Sequence, residues 1–227
     1  VNDPTWGPAD QNGHGTSMAG LCMFGDLSEA LQSQGPFVVD HQLESVKVLR
    51  WDGDNQGRLP GDITREGIGR AEVSEANVNR AFVMALSSSD TRDRGRPSTW
   101  SSMVDKLASG ADDDTRRLIF VAGGNVARDL WVQYPQVNST EGIHDPGQAW
   151  NALTVGAYTD KDSIDAATYP GWTVVASAGD LGPSSSTSST WRSGWPVKPD
   201  IVMEGGAVDV NGAGTLLGGG MRLALYG

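Results

Sequence analysis

The sequence LIFVAGGN at residues 118–125 indicates the kind of fold, because an apolar run ends there at two glycines and an amide side chain. A short run without polar alternation is typical of a strand that is buried on both faces of a sheet. Similar apolar runs lie at residues 46–49, 81–86, 153–157, 173–176 and 201–203. We therefore predict a sheet that is covered by helices on both faces.

Helical patterns lie between these runs. Apolar side chains recur at helical spacing in residues 18–22 and in residues 103–108, where Pro97 and Ser98 form a start signal. A weaker pattern over residues 64–73 is interrupted by two glycines. Alternation of strands and helices predicts an α/β fold with three layers and a mostly parallel sheet. In such a sheet, ligands bind beyond the carboxyl ends of the strands.

The composition excludes several classes of protein. The chain has 227 residues and a formal net charge of −11, which argues against a nucleic-acid partner, since that needs clustered basic side chains. Neither a polybasic run nor a long apolar stretch indicates a membrane partner. The single cysteine, Cys22, excludes an internal disulfide and a multi-cysteine metal site. We expect a single domain over residues 1–227.

The sequence NGHGTSMAG at residues 12–20 places a histidine between glycines at the start of the first predicted helix. The glycines let backbone and substrate approach the His14 imidazole closely, as a general base requires. A lone histidine is more often structural or simply exposed, so the surrounding residues have to decide between the two interpretations.

The Gly-Gly-Asn turn at residues 123–125 is the second candidate for chemistry. The Asn125 carboxamide, held at the carboxyl end of a strand, can donate an N–H to the charge that develops on a tetrahedral intermediate, lowering the barrier by ~3–4 kcal/mol. The alternative is an ordinary turn, since glycine and asparagine are common turn residues. A phosphate-binding loop is excluded because no Lys-Ser or Lys-Thr pair follows the glycines.

Several segments together resemble the subtilisin-like serine proteases, the subtilase or peptidase S8 family. GHGTSMAG resembles the family's histidine box G-H-G-T-x-x-A-G, and AGGN at residues 122–125 resembles its A-G-N oxyanion segment. FVMALSS at residues 82–88 resembles the family's N-M-S-L-G-G strand. ALTVGA at residues 152–157 resembles its N-x-I-x-V-G-A strand, and VKPDIVMEGG at residues 197–206 resembles its K-P-D-I-x-A-P-G segment. The order of these segments along the chain is the strongest support for the resemblance.

The resemblance implies a subtilisin-like architecture and a serine endopeptidase that acts on an extended peptide or protein. It implies that His14 is the general base and Asn125 the oxyanion donor. It also implies a channel in which the peptide pairs as an added strand. The implied lining residues are Leu86, Ser87, Gly123 and Gly124. Family members are commonly secreted, whereas the chain carries no signal peptide, so the compartment stays open.

Ser17 is a false candidate for the nucleophile. GTSMA at residues 15–19 also resembles the family's nucleophile box G-T-S-M-A-x-P, but Gly20 and Leu21 replace its x-Pro ending. The nucleophile box comes last in the family's order of Asp, His and Ser. Ser17 also follows His14 by only three residues, a poor geometry for activation by that ring. We predict a structural role for Ser17.

Two members of the family's triad have no match in the sequence. The acid's D-T-G or D-S-G turn should precede the histidine, but only Asp3 and Asp10 do, and we interpret Asp10 as a local turn or cap. GAGTLLGGG at residues 212–220 has no serine after its Gly-Thr pair. We expect a fragment cut at both ends and inactive by itself. The alternative is a catalytically inactive peptide-binding or scaffold protein built on the same fold.

The remaining candidate sites are weak. DGDNQG at residues 52–57 resembles half of a calcium loop, but Ile63 stands where a bidentate Glu is needed, so a structural calcium lacks a full motif. Scattered histidines (His41 beside an aspartate, His144 in a turn) indicate no zinc site, and we expect no metal and no cofactor. SSSTSST at residues 184–190 indicates a surface loop, and a hydrolase using one of these serines would lack a G-x-S-x-G elbow.

Overall fold

The computed structural model describes residue 3 and residues 5–33, 35–51, 54–55, 57–88 and 92–218. The chain divides into two compact units, Val1–Arg80 and Ala81–Gly227. That both belong to a single domain stays a prediction. No helix in the described ranges is long and apolar enough to cross a membrane.

The first unit contains three helices, which are α1 (His14–Phe24), α2 (Leu27–Gln32) and α3 (Pro60–Ser74). Helix α3 is longer than predicted because it begins with Pro60, whose fixed φ suits the first helical turn. Gly67 does not interrupt it. Instead, the missing side chain makes room for a neighbour, since a Cβ at Gly67 would lie 3.1 Å from Cγ1 of Val48.

The strand predicted at residues 46–49 is wrong. These residues carry no strand assignment, and the side chains of Val46 and Val48 point toward Gly67 of α3. A strand requires backbone hydrogen bonds to a neighbouring segment, and an apolar pattern does not by itself supply that neighbour. The apolar run therefore marks packing against a helix.

The second unit is built on a four-stranded parallel sheet. Its strands lie side by side in the order β1 (Ala81–Met84), β2 (Leu118–Ala122), β3 (Leu153–Tyr158) and β5 (Ile201–Glu204). The register pairs Met84 with Val121 and Ala122 with Val155. Ile119 and Val121 are each 1% exposed, so β2 lies in the core. The predicted α/β fold with a mostly parallel sheet is confirmed.

Helix α5 (Thr99–Ser109) packs against β2 and begins where the sequence predicts. Ser98 Oγ accepts a hydrogen bond from the Ser101 N–H at 2.9 Å, and the Ser98 N–H donates to Ser101 Oγ at 2.8 Å. This reciprocal pair satisfies N–H groups that a helix start leaves unpaired. Val104 of α5 is fully buried, and Gly110 ends the helix in the left-handed conformation.

A second, antiparallel sheet consists of β4 (Trp172–Val174), β6 (Val208–Asn211) and β7 (Leu216–Gly218), with β6 in the middle. The strand predicted at residues 173–176 therefore exists but does not belong to the parallel sheet. Val174 pairs with Asp209, and three residues carry too little pattern to indicate which sheet they join. The other short elements are α4 (Arg92–Gly95), a 3-10 helix (Arg128–Gln133) and α6 (Gln136–Thr140).

Candidate active site

The carboxyl ends of β1 and β2 lie at one edge of the parallel sheet. Leu86, which is half-buried, and Ser87, which is exposed, follow β1, whereas Gly123 and Gly124 follow β2. Because paired parallel strands end at the same edge, the fold places all four predicted channel residues there. Their role as a peptide channel stays a prediction.

The turn after β2 is held at Gly123 by three hydrogen bonds. Its N–H donates to the Val155 carbonyl of β3 at 3.0 Å, and its own carbonyl accepts from the His144 N–H at 2.9 Å and from Ser186 Oγ at 2.7 Å. Gly124 has a φ of 96°, which favours glycine. A Cβ at Gly124 would lie 2.2 Å from Cγ of His144, so a side chain is excluded there.

Asn125 follows this fixed turn and is exposed. Its backbone forms an isolated antiparallel bridge with Ser185, and the next N–H, that of Val126, donates to the Ser184 carbonyl at 2.9 Å. Within the described ranges no residue forms a hydrogen bond with the Asn125 carboxamide. A rigid backbone with an unengaged amide is suited to donating to an oxyanion.

Of the serine-rich residues 184–190, only Ser189 and Thr190 are exposed, so the predicted surface loop is confirmed only in part. Ser185 and Ser186 are only 2% and 1% exposed. Ser186 Oγ donates to the Gly123 carbonyl, and Ser185 Oγ accepts from the Ala157 N–H at 3.1 Å. Buried hydroxyls are stable because they find such partners. These two serines therefore support the Gly-Gly-Asn turn, and burial argues against either as a nucleophile.

His14 is exposed at the first residue of α1, in the first unit. Asp10 holds the turn before it. One carboxylate oxygen accepts from the N–H groups of Asn12 and Gly13, and the other accepts from the N–H and the hydroxyl of Thr16 at 2.8 and 2.7 Å. These bonds, chiefly that of the Thr16 hydroxyl, hold the pKa of Asp10 well below its usual range. Asp10 therefore holds a local turn at the start of α1, as the sequence predicts.

Ser17 has the structural role that the sequence predicts. Its Oγ donates to the Gly13 carbonyl at 3.1 Å, one turn earlier along the chain, as serines inside helices often do. The 227 residues contain no serine after Ser193, so a downstream nucleophile has no candidate in the sequence. Residues 219–220 of the segment compared with the nucleophile box lie outside the described residues.

An ion pair that the sequence analysis missed lies just before β5 and bonds to residues at the start of β3. The Lys198 ammonium is fully buried and donates to the Ala152 carbonyl at 3.0 Å and to Asp200 Oδ2 at 2.6 Å. The same Oδ2 accepts from the Thr154 N–H at 2.7 Å. In the sequence, only the Lys-Pro-Asp run within residues 197–206 indicates this ion pair. Lys198 and Asp200 therefore hold the residues just before β5 against the start of β3.

The remaining polar candidates have local partners. Asp54 pairs with Arg50, whose Nε lies 2.8 Å from Oδ2, whereas residues 52, 53 and 56 of the segment compared with a calcium loop lie outside the described residues. His41 contacts the Asp40 carboxylate, which raises the pKa of His41, and the Cys22 carbonyl. No group of three or more His, Cys, Asp or Glu in the described ranges could hold a metal ion.

Fold and site together define an α/β protein with a rigid Gly-Gly-Asn turn at the carboxyl edge of a parallel sheet. A model of the subtilase family, peptidase S8, matches residues 1–223. The chain therefore belongs to the subtilase family, and a serine-peptidase type of function follows in general terms. Among proteins with curated functions, none matches the chain.

Proposed function

We propose that this chain supplies the general base and the oxyanion donor of a serine endopeptidase. His14 takes the proton of the nucleophilic serine and returns it to the leaving amine. Asn125 donates its carboxamide N–H to the oxyanion of the tetrahedral intermediate. An aspartate that orients His14 and the serine itself have no match in these 227 residues, so the chain alone is expected to be inactive.

The proposed substrate is an extended peptide or protein segment that pairs with the edge after β1. Main-chain hydrogen bonds supply affinity in this mode of recognition, and side pockets select residues. The proposed lining residues are Leu86, Ser87, Gly123 and Gly124. Ser87 and Ser88 stand where the family pattern has two glycines, so the family pattern does not fix the width of the primary pocket. The proposal includes no cofactor.

The observation that carries this proposal is the exposed Asn125 carboxamide on a turn that three hydrogen bonds hold, in a member of the subtilase family. A donor fixed before the reaction needs no reorganisation when the charge develops, which is why such a turn suits acyl transfer. The exposed His14 on a capped helix is consistent with a base that substrate can reach.

The second candidate function is peptide binding without catalysis. It is favoured by the absence of a D-T-G or D-S-G turn before His14 and of a serine after Ser193. The channel residues would then bind an extended peptide that is not cleaved. The two candidates differ in one property, which is whether the native gene product contains an activated serine.

The test is labelling of the native gene product with a fluorophosphonate probe, which reacts with activated serines, together with cleavage of an unfolded protein substrate. We expect labelling and cleavage, and we expect His14→Ala to lower cleavage by several orders of magnitude because the general base is lost. His41→Ala serves as the control, since His41 is an exposed histidine without a proposed role.

Absence of labelling, or labelling and cleavage that survive His14→Ala, would contradict the proposed peptidase. Peptide binding by a native product that the probe does not label would instead favour the second candidate. Loss of activity in His41→Ala to the same extent as in His14→Ala would show that the assay reports stability rather than chemistry.

A further inference from the structure

The chain before α1 is bound by a lysine from a distant segment. The Lys47 ammonium donates to the Ala9 carbonyl at 2.6 Å and to the Gly7 carbonyl at 3.2 Å. A third bond, to Gln11 Oε1, is 3.4 Å long. An ammonium carries three N–H donors and no acceptor, so one donor can serve each of these oxygens. Because the three acceptors lie on both sides of Asp10, Lys47 binds the chain around that aspartate.

The hydrogen bonds of Lys47 are charge-assisted. Lys47 is half-buried, and within the described ranges no carboxylate forms an ion pair with it. In that part of the chain, its positive charge is bonded to the oxygens of residues 7–11. A hydrogen bond from an ionised donor is roughly twice as strong as a neutral one. Loss of the ammonium would therefore free this segment more than loss of neutral bonds would.

The segment that carries Lys47 is itself fixed. Val48 packs toward Gly67 of α3, where a Cβ would lie 3.1 Å from Val48 Cγ1. The Val48 carbonyl accepts a hydrogen bond from Asn55 Nδ2 at 2.7 Å. Lys47 therefore extends from a backbone that is anchored to a helix, and it can hold a second segment in place.

A further contact attaches the same two segments three residues along the chain from Lys47. The Arg50 guanidinium carbon lies 4.6 Å from the centroid of the Trp6 ring, and Trp6 is 8% exposed. Asp54 orients the guanidinium, since Arg50 Nε lies 2.8 Å from Oδ2 and Nη2 lies 2.9 Å from Oδ1. A guanidinium over the face of an indole is attracted by the ring. Residues 47–50 thus contact the chain at Trp6 and again at residues 7–11.

Asp10 connects this attachment to the proposed base. It lies within the segment that Lys47 binds, and its carboxylate accepts from the N–H groups of Gly13 and Thr16 at 2.9 and 2.8 Å. His14 lies between those two residues at the start of α1. Hydrogen bonds weaken steeply when their distance and angle depart from the preferred values. A displacement of the segment would therefore loosen the turn that presents His14.

We propose that Lys47 is a positioning residue for His14, because it fixes the chain around Asp10, and Asp10 in turn fixes the start of α1. This role rests on the proposed function, since it concerns the same general base. Lys47 acts through residues 7–11 and transfers no proton itself.

The first test follows amide-proton exchange by NMR in the full 227-residue chain. Lys47→Met keeps a long side chain but removes its donors, and Lys47→Arg keeps a charged donor. The control is Lys106→Met, which removes an exposed lysine. We expect Lys47→Met to speed exchange of the Thr16 amide about tenfold and to leave that of Ile68, buried in α3, unchanged. Lys47→Arg should stay within about threefold of the parent, and Lys106→Met should match it.

The second test measures peptide cleavage by the native gene product. Lys47→Met should lower kcat about tenfold and leave KM unchanged, because the base loses its fixed position while the proposed channel residues are untouched. Lys47→Arg should restore most of kcat, and Lys106→Met should leave both constants unchanged.

Each outcome decides one of the two proposals. Parent-like exchange of Thr16 in Lys47→Met would overturn the positioning role, as would an equal acceleration at Ile68, which would show that Lys47 supports the whole unit. Equal losses in Lys47→Arg and Lys47→Met, or faster Thr16 exchange without a lower kcat, would overturn it as well. A native product that neither cleaves peptides nor reacts with the fluorophosphonate probe contradicts the proposed function instead. In that case the Thr16 exchange rates still decide whether Lys47 fixes the turn.

Discussion

At the scale of single residues, the turn before His14 depends on one carboxylate. Asp10 accepts from Asn12, Gly13 and Thr16, so its ionised form is bonded in the folded chain and not in the unfolded one. Because the folded pKa is depressed, this stabilisation is present above the ordinary aspartate value of 3.8 and is lost as pH falls through the lower folded pKa. The turn that precedes His14 should therefore be insensitive to pH in the neutral range.

The corresponding prediction concerns the amide signals of Gly13 and Thr16 in an NMR pH titration. We expect both signals to be unchanged while ordinary aspartates titrate near pH 4 and to shift only at lower pH. In Asp10→Asn this low-pH shift should disappear, because the side chain no longer titrates. Shifts centred near pH 4 in the parent chain would contradict the proposed set of hydrogen bonds.

Residues with a proposed chemical role could be found from the sequence, but the residues that hold the turn before Asn125 could not. His14 and Asn125 stand in patterns that chemistry requires. His144 and Ser186, by contrast, contact Gly123 across 21 and 63 positions of the chain, respectively. A contact at such separation depends on the path of the backbone, so a lone histidine in a turn or a serine in a polar run carries no local sign of it.

At the scale of elements, the pairing of β3 with β5 is supported at its start by Lys198. The Lys198 ammonium is buried and serves both the Ala152 carbonyl and Asp200, whose carboxylate is 28% exposed. Lys198→Met should lower the free energy of unfolding by about 3 kcal/mol, at the low end for a broken buried pair, because Asp200 keeps some contact with water. Chemical denaturation measures this change.

Lys106→Met is the control for this substitution. Lys106 is 55% exposed and lies 3.7 Å from Asp112, so we expect a change below about 0.5 kcal/mol. A loss in Lys198→Met no larger than that of the control would show that the buried pair is not a net contributor to stability. Equal unfolding midpoints in the two variants would be the direct sign of that outcome.

Strands could be predicted from the sequence where an apolar run also has other strands as its neighbours in the folded chain. The predicted residues 118–122 and 153–157 match β2 and β3 closely, because these strands lie in the interior of the sheet and show apolar character throughout. Residues 46–49 show the same character without becoming a strand, since α3 rather than another strand receives their side chains. The apolar pattern thus predicts burial well and the type of neighbour poorly.

At the scale of the whole molecule, the proposed reaction requires His14 and Asn125 to reach one carbonyl group. Cys22 is the single cysteine and is exposed on α1, the helix that begins with His14, so a nitroxide label attaches there selectively. We expect this label to broaden the amide signals of Gly124 and Asn125 more strongly than that of Ala152, which precedes β3 at the opposite edge of the sheet.

The reference state for this experiment is the same labelled chain after chemical reduction of the nitroxide, which removes the broadening. If the signals of Gly124 and Asn125 stay sharp in the oxidised state, the proposal that His14 and Asn125 act on one carbonyl group is contradicted. This holds even if the local geometry around each residue is correct. Broadening of Ala152 alone would place α1 near the wrong edge and contradict the proposal as well.

By itself, the sequence determined the α/β class, the subtilase family and the two turns that present His14 and Asn125, because periodicity, glycines and capping groups act over a few residues. Only the tertiary structure decided which apolar runs become strands, that Ser185 and Ser186 are buried, and that His144 lies against Gly124. Those outcomes depend on contacts between segments that are distant along the chain, and such contacts leave no periodic signal in it.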